Sequence, residues 1–126
     1  MSKELHHLFN AIRTDHLNQV EVAIKDNQSL INTKDDKGNT SLIIAAEHGN
    51  TGIVNTLVKH GAHLNYQTPE KKQTALMIAV QFGNIDTAKY LVENGADITL
   101  VDSQKKTALD YAQQQQNQLL IKILQS

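Results

Sequence analysis

The chain has 126 residues, which fits one compact domain and leaves no room for two independent hydrophobic cores. Twelve basic and 13 acidic residues give a formal charge of −1, which disfavours binding to nucleic acid or anionic membranes. The absence of cysteine excludes disulfides, thiolate metal sites and cysteine nucleophiles, and fits a reducing compartment. No apolar run approaches the roughly 20 residues that span a bilayer, and no signal-peptide stretch opens the chain. We therefore predict a cytoplasmic protein, with secretion by a signal-independent route left open.

A pattern repeats along the chain with a period of about 34 residues. Its clearest copies are residues 40–65 and 74–99. The matched residues are Thr40 with Thr74, Leu42 with Leu76, Ala45 with Ala79, Gly49 with Gly83, and Gly61 with Gly95. A further copy opens at Thr107, and a fainter one carries Leu8 and Ala11. We predict a single domain over residues 1–126 with four units at about 4–36, 37–70, 71–103 and 104–126, named units 1 to 4.

Unit 1 is predicted to be an N-terminal cap. A terminal repeat has one face in water, so that face must be polar. The polar residues that decorate this unit are His6, His7, Asn10, Arg13 and Asp15.

Unit 2 predicts two short helices followed by a polar connection. Thr40 is a suitable N-cap for the first helix, and Gly49-Asn50 ends it. The apolar stripes are Leu42, Ala45 and Ala46 on the first helix, and Ile53, Val54, Leu57 and Val58 on the second. Gly61 is expected to close the second helix in the left-handed conformation, and Gly95 does the same in unit 3.

Units 3 and 4 follow the same plan with two differences. The connection into unit 3 is one residue longer and contains Pro69, so we expect its tip to differ in shape. In unit 4 the polar run 113–118 is followed by the apolar residues 119–121. We predict a solvated helix end and a final packed helix there, the alternative being a disordered or interacting tail.

The pattern G-x-T-x-L-x-x-A-A-x-x-G-N followed by L-V-x-x-G-A resembles the ankyrin repeat, and residues 38–50 are the closest segment. This resemblance implies an all-α solenoid of stacked helix-turn-helix units joined by β-hairpin-like loops, with the small first helices on the concave face. The family's T-P-L-H opening appears as TSLI, TALM and TALD, without its proline or histidine, which puts stability rather than fold in doubt. The finger glycine, present as Gly38, is replaced by Lys72 and Lys105.

Minimal motifs for catalysis are absent. The sequence contains no P-loop, no G-x-G-x-x-G, no H-E-x-x-H and no G-x-S-x-G. His60 and His63 lie at a predicted helix end, where their rings can meet terminal carbonyls, and no ligand spacing supports a metal site. We therefore predict a protein that is not an enzyme and has no cofactor and no metal.

The resemblance also implies where a partner binds, namely the exposed ends of the first helices and the fingertips. The helix positions are Arg13, Thr14, Glu47, His48, Gln81, Phe82, Gln114 and Gln115. The fingertip positions are Asp36, Lys37, Asn39, Glu70, Lys71, Gln73, Ser103, Gln104 and Lys106. Phe82 is the only large apolar residue among them and is either a binding residue or packs against Tyr66 or a neighbouring helix. The lysines at 71–72 and 105–106 either meet an acidic partner segment or are simply solvated.

The function that the resemblance implies is a non-catalytic protein–protein interaction module with a protein or peptide partner. No nucleic acid and no membrane are expected, and we expect a monomer. An accessory or inhibitory subunit of a specific enzyme is the alternative, because it would use the same face. Nucleic-acid binding through the lysine-bearing fingers is a third hypothesis, which the near-zero net charge disfavours.

Overall fold

The structure is a computed structural model that describes residues 2–125. Met1 and Ser126, the ends of the predicted domain, lie outside these described residues. The helices are α1 Lys3–Arg13, α2 Leu17–Asp26, α3 Ser41–His48, α4 Thr51–Lys59, α5 Ala75–Gln81, α6 Ile85–Glu93, α7 Ala108–Gln114 and α8 Gln118–Gln125. A 3₁₀ helix at Gln28–Asn32 follows α2, and no strand occurs within residues 2–125.

The helices form two packed rows. Helices α1, α3, α5 and α7 contact one another in sequence, and α2, α4, α6 and α8 form the second row. Each predicted unit contains one helix from each row, and the two helices of a unit pack together. The predicted all-helical solenoid of stacked helix pairs is therefore confirmed.

Threonine side chains start three of the first-row helices, because a hydroxyl can accept from an amide of the first turn that has no helical partner. Thr40 Oγ1 accepts from the Ile43 amide at 3.4 Å, and Thr74 Oγ1 accepts from the Met77 amide at 3.1 Å. In the last unit the arrangement is reciprocal, since Thr107 Oγ1 accepts from the Asp110 amide while Asp110 Oδ2 accepts from the Thr107 amide. The predicted N-cap at Thr40 is confirmed.

Aliphatic residues fill the space between the rows. Ala45, Ala46 and Ala79 are fully buried in the first row, while Leu57 and Leu91 are fully buried in the second. Small first-row side chains let neighbouring helices approach closely, and the bulkier second-row residues fill the remaining volume.

Apolar packing takes the place of the histidine that the T-P-L-H opening would supply. The corresponding positions are Ile43 in unit 2 and Met77 in unit 3, and both side chains are buried. The opening's proline position is Ser41 in unit 2, and its buried hydroxyl donates to the Ile31 carbonyl at 3.0 Å. The Ser41 hydrogen bond thus joins units 1 and 2 at one of the positions where the sequence left stability in doubt.

Asparagine side chains tie successive units together along the connections. Asn32 Nδ2 donates to the Gly61 carbonyl at 3.0 Å, and Asn32 Oδ1 accepts from the His63 amide at 2.9 Å. Asn65 Oδ1 accepts from the Asp97 amide at 2.8 Å one unit later. These bonds fix the loops that lead into the fingers.

The ends of the second-row helices and of the solenoid follow the sequence predictions. Gly61 and Gly95 adopt left-handed φ values of 95° and 94° where α4 and α6 end. Residues 113–116 are exposed, whereas Leu120 and Leu124 are buried in α8. The final packed helix is therefore confirmed, and the disordered-tail alternative is wrong.

Candidate partner-binding face

Three fingers project between the helix pairs: finger 1 (35–39), finger 2 (68–73) and finger 3 (102–106). Each is closed by one backbone hydrogen bond between its first and last residues, as expected for a hairpin-like loop. The bonds run from Asp35 N to Asn39 O at 2.9 Å, from Thr68 N to Gln73 O at 3.0 Å, and from Asp102 N to Lys106 O at 3.0 Å. In finger 2 the extra residue produces a second turn, with Lys71 N donating to Pro69 O at 2.7 Å.

The first residue of each finger also organises the turn through its side chain. Asp35 Oδ1 accepts from the amides of Lys37 and Asn39, each at 2.9 Å. Asp102 Oδ1 repeats this in finger 3, with the amides of Gln104 at 2.9 Å and Lys106 at 3.1 Å. These bonds give the tip residues a fixed backbone conformation, because a short acidic side chain can satisfy several turn amides at once.

The penultimate residue of every finger is left-handed. It is Gly38 in finger 1, with φ 81°, but Lys72 in finger 2 and Lys105 in finger 3, with φ 53° and 63°. Gly38 lies against Pro69, and a Cβ there would meet the ring at 2.4 Å. The Tyr66 hydroxyl also donates to the Gly38 carbonyl at 2.5 Å. Glycine at position 38 adopts the left-handed conformation without strain and avoids the clash with Pro69 that any side chain would make.

Finger 1 and the ends of α1 and α3 enclose a groove of about 370 Å³. Its lining is Arg13, Asp35, Asp36, Lys37, Asn39, Ile44, Glu47 and His48. Both signs of charge are present, and Glu47 and His48 are exposed at the end of α3. The groove is suited to a polar or charged segment rather than to an apolar one.

The corresponding region of units 3 and 4 is a glutamine cluster beside an exposed ring. Gln73 Nε2 lies 3.5 Å from Gln81 Oε1, and Gln115 Nε2 donates to the Gln81 carbonyl at 3.1 Å. Phe82 follows at the end of α5 and is 59% exposed. The alternative in which this ring packs against Tyr66 or a neighbouring helix is therefore wrong.

The buried Asp102 and the half-buried Tyr111 form a pair under finger 3. Asp102 is 4% exposed, and the Tyr111 hydroxyl donates to its Oδ2 atom. Burial, together with the hydrogen bond to Asp102 and its charge, raises the pKa of Tyr111 to about 12. Burial also acts to raise the pKa of Asp102, but the hydrogen bonds from Tyr111 and the finger amides, with the charge of Lys106, lower it overall. The Lys106 ammonium lies 5.5 Å from the centre of the Tyr111 ring.

Comparison with protein-family models decides the family. A model of ankyrin repeats (3 copies) matches residues 3–68, which is more than half of the chain. The chain belongs to the ankyrin-repeat family. A second model, of ankyrin repeats (many copies), matches residues 57–112, and the two matches overlap. No curated protein matches the chain at a significant level.

The ankyrin-repeat fold brings part of the predicted site together. Arg13, Asp36, Lys37, Asn39, Glu47 and His48 share the groove at finger 1. Gln73 and Gln81 meet in the glutamine cluster with Phe82 beside it, and Lys106 lies over Tyr111. Glu70, Lys71 and Gln104 are exposed on fingers 2 and 3, and Gln114 is exposed on α7, outside these contacts.

Several residues that shape the face were not predicted from the sequence. Asp35 and Asp102 hold their fingers, and Tyr111 engages Asp102. Gln67 Nε2 donates to the carbonyls of Lys72 at 3.0 Å and Val101 at 2.8 Å. Asp35 and Asp102 occupy the same position in their units, and this repetition could have identified them. No sequence pattern indicates the contacts that the Tyr111 and Gln67 side chains make.

A larger groove of about 830 Å³ lies between α1 and α2 on the outer side of unit 1, and the sequence did not predict it. Its lining includes Glu4, His7, Asn10, Asn18, Val22 and Asp26. His7 and Asn10 were predicted only as polar residues of the N-terminal cap, and both are exposed. This groove lies apart from the fingers and shares no lining residue with the groove at finger 1.

The described residues contain neither a metal-binding cluster nor a membrane-spanning helix. Within residues 2–125 there is no group of three or more His, Cys, Asp or Glu side chains that could hold a metal ion. His60 Nδ1 lies 2.8 Å from the Thr56 carbonyl at the end of α4, which is the helix-end contact predicted for it. Among the same residues, no helix is both long and apolar enough to cross a membrane.

Proposed function

We propose that this ankyrin-repeat chain is a non-catalytic module that binds a protein or peptide through its fingers and the ends of its first-row helices. The observation that carries the proposal is the groove at finger 1, where six predicted contact residues from α1, finger 1 and α3 line one cavity. A rigid site of this kind loses little conformational freedom on binding, because its backbone is already held.

Phe82 supplies the apolar part of the proposed site. An exposed aromatic ring on a polar surface gains free energy when a partner covers it, and such residues often dominate a binding interface. The groove would then give charge complementarity and orientation, and Phe82 would give buried area. The proposed contact residues are Arg13, Asp36, Lys37, Asn39, Glu47, His48, Glu70, Lys71, Gln73, Gln81, Phe82, Gln104, Lys106 and Gln114.

The test is affinity capture from a lysate of the source cells with the wild type, Phe82→Ala and Glu47→Arg in parallel. We expect both variants to lose a protein that the wild type retains. Leu119→Ala is the matched control, because Leu119 is a 62% exposed apolar residue on α8, away from the fingers. Capture by all four proteins of the same partners in the same amounts would reject the proposed face.

The same experiment distinguishes a general interaction module from an accessory subunit of a specific enzyme. A single enzyme retained in stoichiometric amount, and inhibited or protected when bound, would identify an accessory subunit. Several partners would indicate a general interaction module. We also propose that the protein is cytoplasmic, which its cysteine-free composition supports and cell fractionation would test. We propose in addition that it is a monomer, which size-exclusion chromatography with light scattering would test.

A further inference from the structure

Fingers 2 and 3 carry four lysines, which we name the lysine fingertips: Lys71, Lys72, Lys105 and Lys106. The first three are exposed, and Lys106 is partly covered by its position over the Tyr111 ring. The acidic residues within the two fingers are Glu70 and Asp102, and the Asp102 carboxylate already accepts from Tyr111 and from turn amides. Positive charge therefore dominates this part of the surface, although the chain as a whole has a formal charge of −1.

The two lysine pairs are held at a fixed distance from each other. The Ser103 amide donates to the Lys71 carbonyl at 2.9 Å, which joins finger 3 directly to finger 2. The Gln67 side chain spans the same junction, since its Nε2 atom donates to the carbonyls of both Lys72 and Val101. A partner would meet a preformed basic surface, and binding would not have to order the fingers.

Lys72 and Lys105 occupy left-handed backbone positions that glycine would adopt without strain. Glycine is present at the same place in finger 1, as Gly38. The turn conformation therefore does not require lysine at these two positions, and strain of this kind is often found at functional sites. Glu70 of finger 2 is also left-handed, with φ 63°, so lysine occupies two of the three left-handed non-glycine positions in fingers 2 and 3.

We propose that the lysine fingertips bind an acidic segment of a protein partner. This inference rests on the proposed interaction function and names the chemistry of the partner. A protein segment is favoured over nucleic acid because the net charge is negative and no aromatic side chain lies within residues 68–73 or 102–106 to stack on a base. Asp or Glu carboxylates spaced along an extended peptide would reach both lysine pairs.

The test is fluorescence polarisation with a labelled peptide of alternating glutamate and serine. We expect the wild type to bind it at low ionic strength and to lose affinity as salt screens the charges. The double variant Lys72→Gly, Lys105→Gly should bind about tenfold more weakly, the scale expected for losing two surface charge pairs. The double variant should melt no lower than the wild type, because both glycines relieve left-handed strain.

Two controls separate charge from backbone conformation. Lys72→Arg, Lys105→Arg keeps the charge and should retain the affinity of the wild type. Gln116→Gly relieves the same kind of strain at an exposed neutral residue with φ 55°, and should leave peptide binding unchanged. Equal peptide binding by the wild type and the double glycine variant, or no binding by the wild type, would overturn the inference.

A single-stranded oligonucleotide is the second probe. Tighter, lysine-dependent binding of the oligonucleotide than of the peptide would also overturn the inference, in favour of a nucleic-acid partner. Failure of the acidic-partner inference is distinguishable from failure of the proposed interaction function. If Phe82 and Glu47 remain necessary for partner capture while the peptide does not bind, the interaction function stands and only the acidic-partner inference is rejected.

Discussion

Fingers 1 and 3 have the same hydrogen bonds and the same backbone shape but differ at the left-handed residue. Asp35 and Asp102 each accept from two amides of their own turn, so the conformation does not depend on glycine. Finger 1 has Gly38 under the Pro69 ring, whereas finger 3 has the exposed Lys105. The difference shows that the aspartate sets the shape of the turn, while neighbouring atoms decide which residues fit there.

The largest expected effect of this difference is at Gly38. Gly38→Ala places a methyl group 2.4 Å from the Pro69 ring and forces alanine into a left-handed conformation. We expect the free energy of unfolding to fall by about 3 kcal/mol, since overpacking costs about 1–3 kcal/mol and left-handed strain about 1–2 kcal/mol. Urea denaturation followed by circular dichroism measures the change.

Gly52→Ala is the matched control for this substitution. Gly52 lies in α4, and nothing lies within 4 Å of the position that its Cβ would take. Alanine should therefore stabilise the helix by about 0.5–1 kcal/mol. If both variants shift the free energy of unfolding in the same direction, close packing against Pro69 is not the reason that residue 38 is glycine.

The Asp102–Tyr111 pair under finger 3 gives the second prediction. Tyr111→Phe removes the hydroxyl that donates to Asp102, and should lower the free energy of unfolding by about 1.5–3 kcal/mol at neutral pH, the range for a hydrogen bond to a charged group. The equivalent residue in unit 2 is Ile44, which lines the groove at finger 1. Ile44→Val should cost less, about 0.5–1.5 kcal/mol, because it leaves no carboxylate without a donor.

The advantage of the wild type over Tyr111→Phe should depend on pH in a defined window. The pKa of Tyr111 is raised from 10.0 to about 12, so the folded state holds the phenol proton that the unfolded chain releases. The stability from this group is fully present below pH 10 and is lost as the pH rises to about 12. Between pH 10 and about 12, the difference in free energy of unfolding between the wild type and Tyr111→Phe should become smaller. A constant difference would contradict a Tyr111 pKa that is raised by burial and by Asp102.

The sequence predicted the helix pairs well because their signals are local and repeated. Thr40 and Gly61 mark helix ends through their own hydrogen bonds and dihedral angles, and a period of about 34 residues places them again in unit 3. The candidate face was only partly predictable. That Arg13 and Glu47 share a groove depends on how α1 packs against α3, which the period implies only approximately.

Contacts through long side chains could not be predicted at all. Whether Tyr111 reaches Asp102, or Gln67 reaches two carbonyls of neighbouring fingers, depends on rotamers set by the complete packing. The exposure of Phe82 was undecided for the same reason, because its position at the end of α5 permits both an exposed and a packed ring.

The third prediction is a gain in stability at finger 3. Lys105→Gly should raise the free energy of unfolding by about 1 kcal/mol, because glycine adopts the left-handed conformation without the steric cost that a Cβ brings. The gain is limited by the greater flexibility of glycine in the unfolded chain. Thermal melting compares this variant with Lys105→Ala, which keeps the strain, and a lower melting temperature for the glycine variant would contradict a strained lysine.

The smallest expected effect is at Glu47, on the rim of the groove at finger 1. Its side chain is exposed, and the contact that Glu47 makes with Asn84 uses the backbone carbonyl, which accepts from Asn84 Nδ2 at 3.1 Å. Glu47→Ala should therefore change the free energy of unfolding by less than about 0.5 kcal/mol, as for an ordinary surface substitution. Gly38→Ala, on the finger beside it, should cost several times more. A large loss of stability in Glu47→Ala would mean that its carboxylate supports the fold, and Glu47 would then no longer be a residue free to bind a partner.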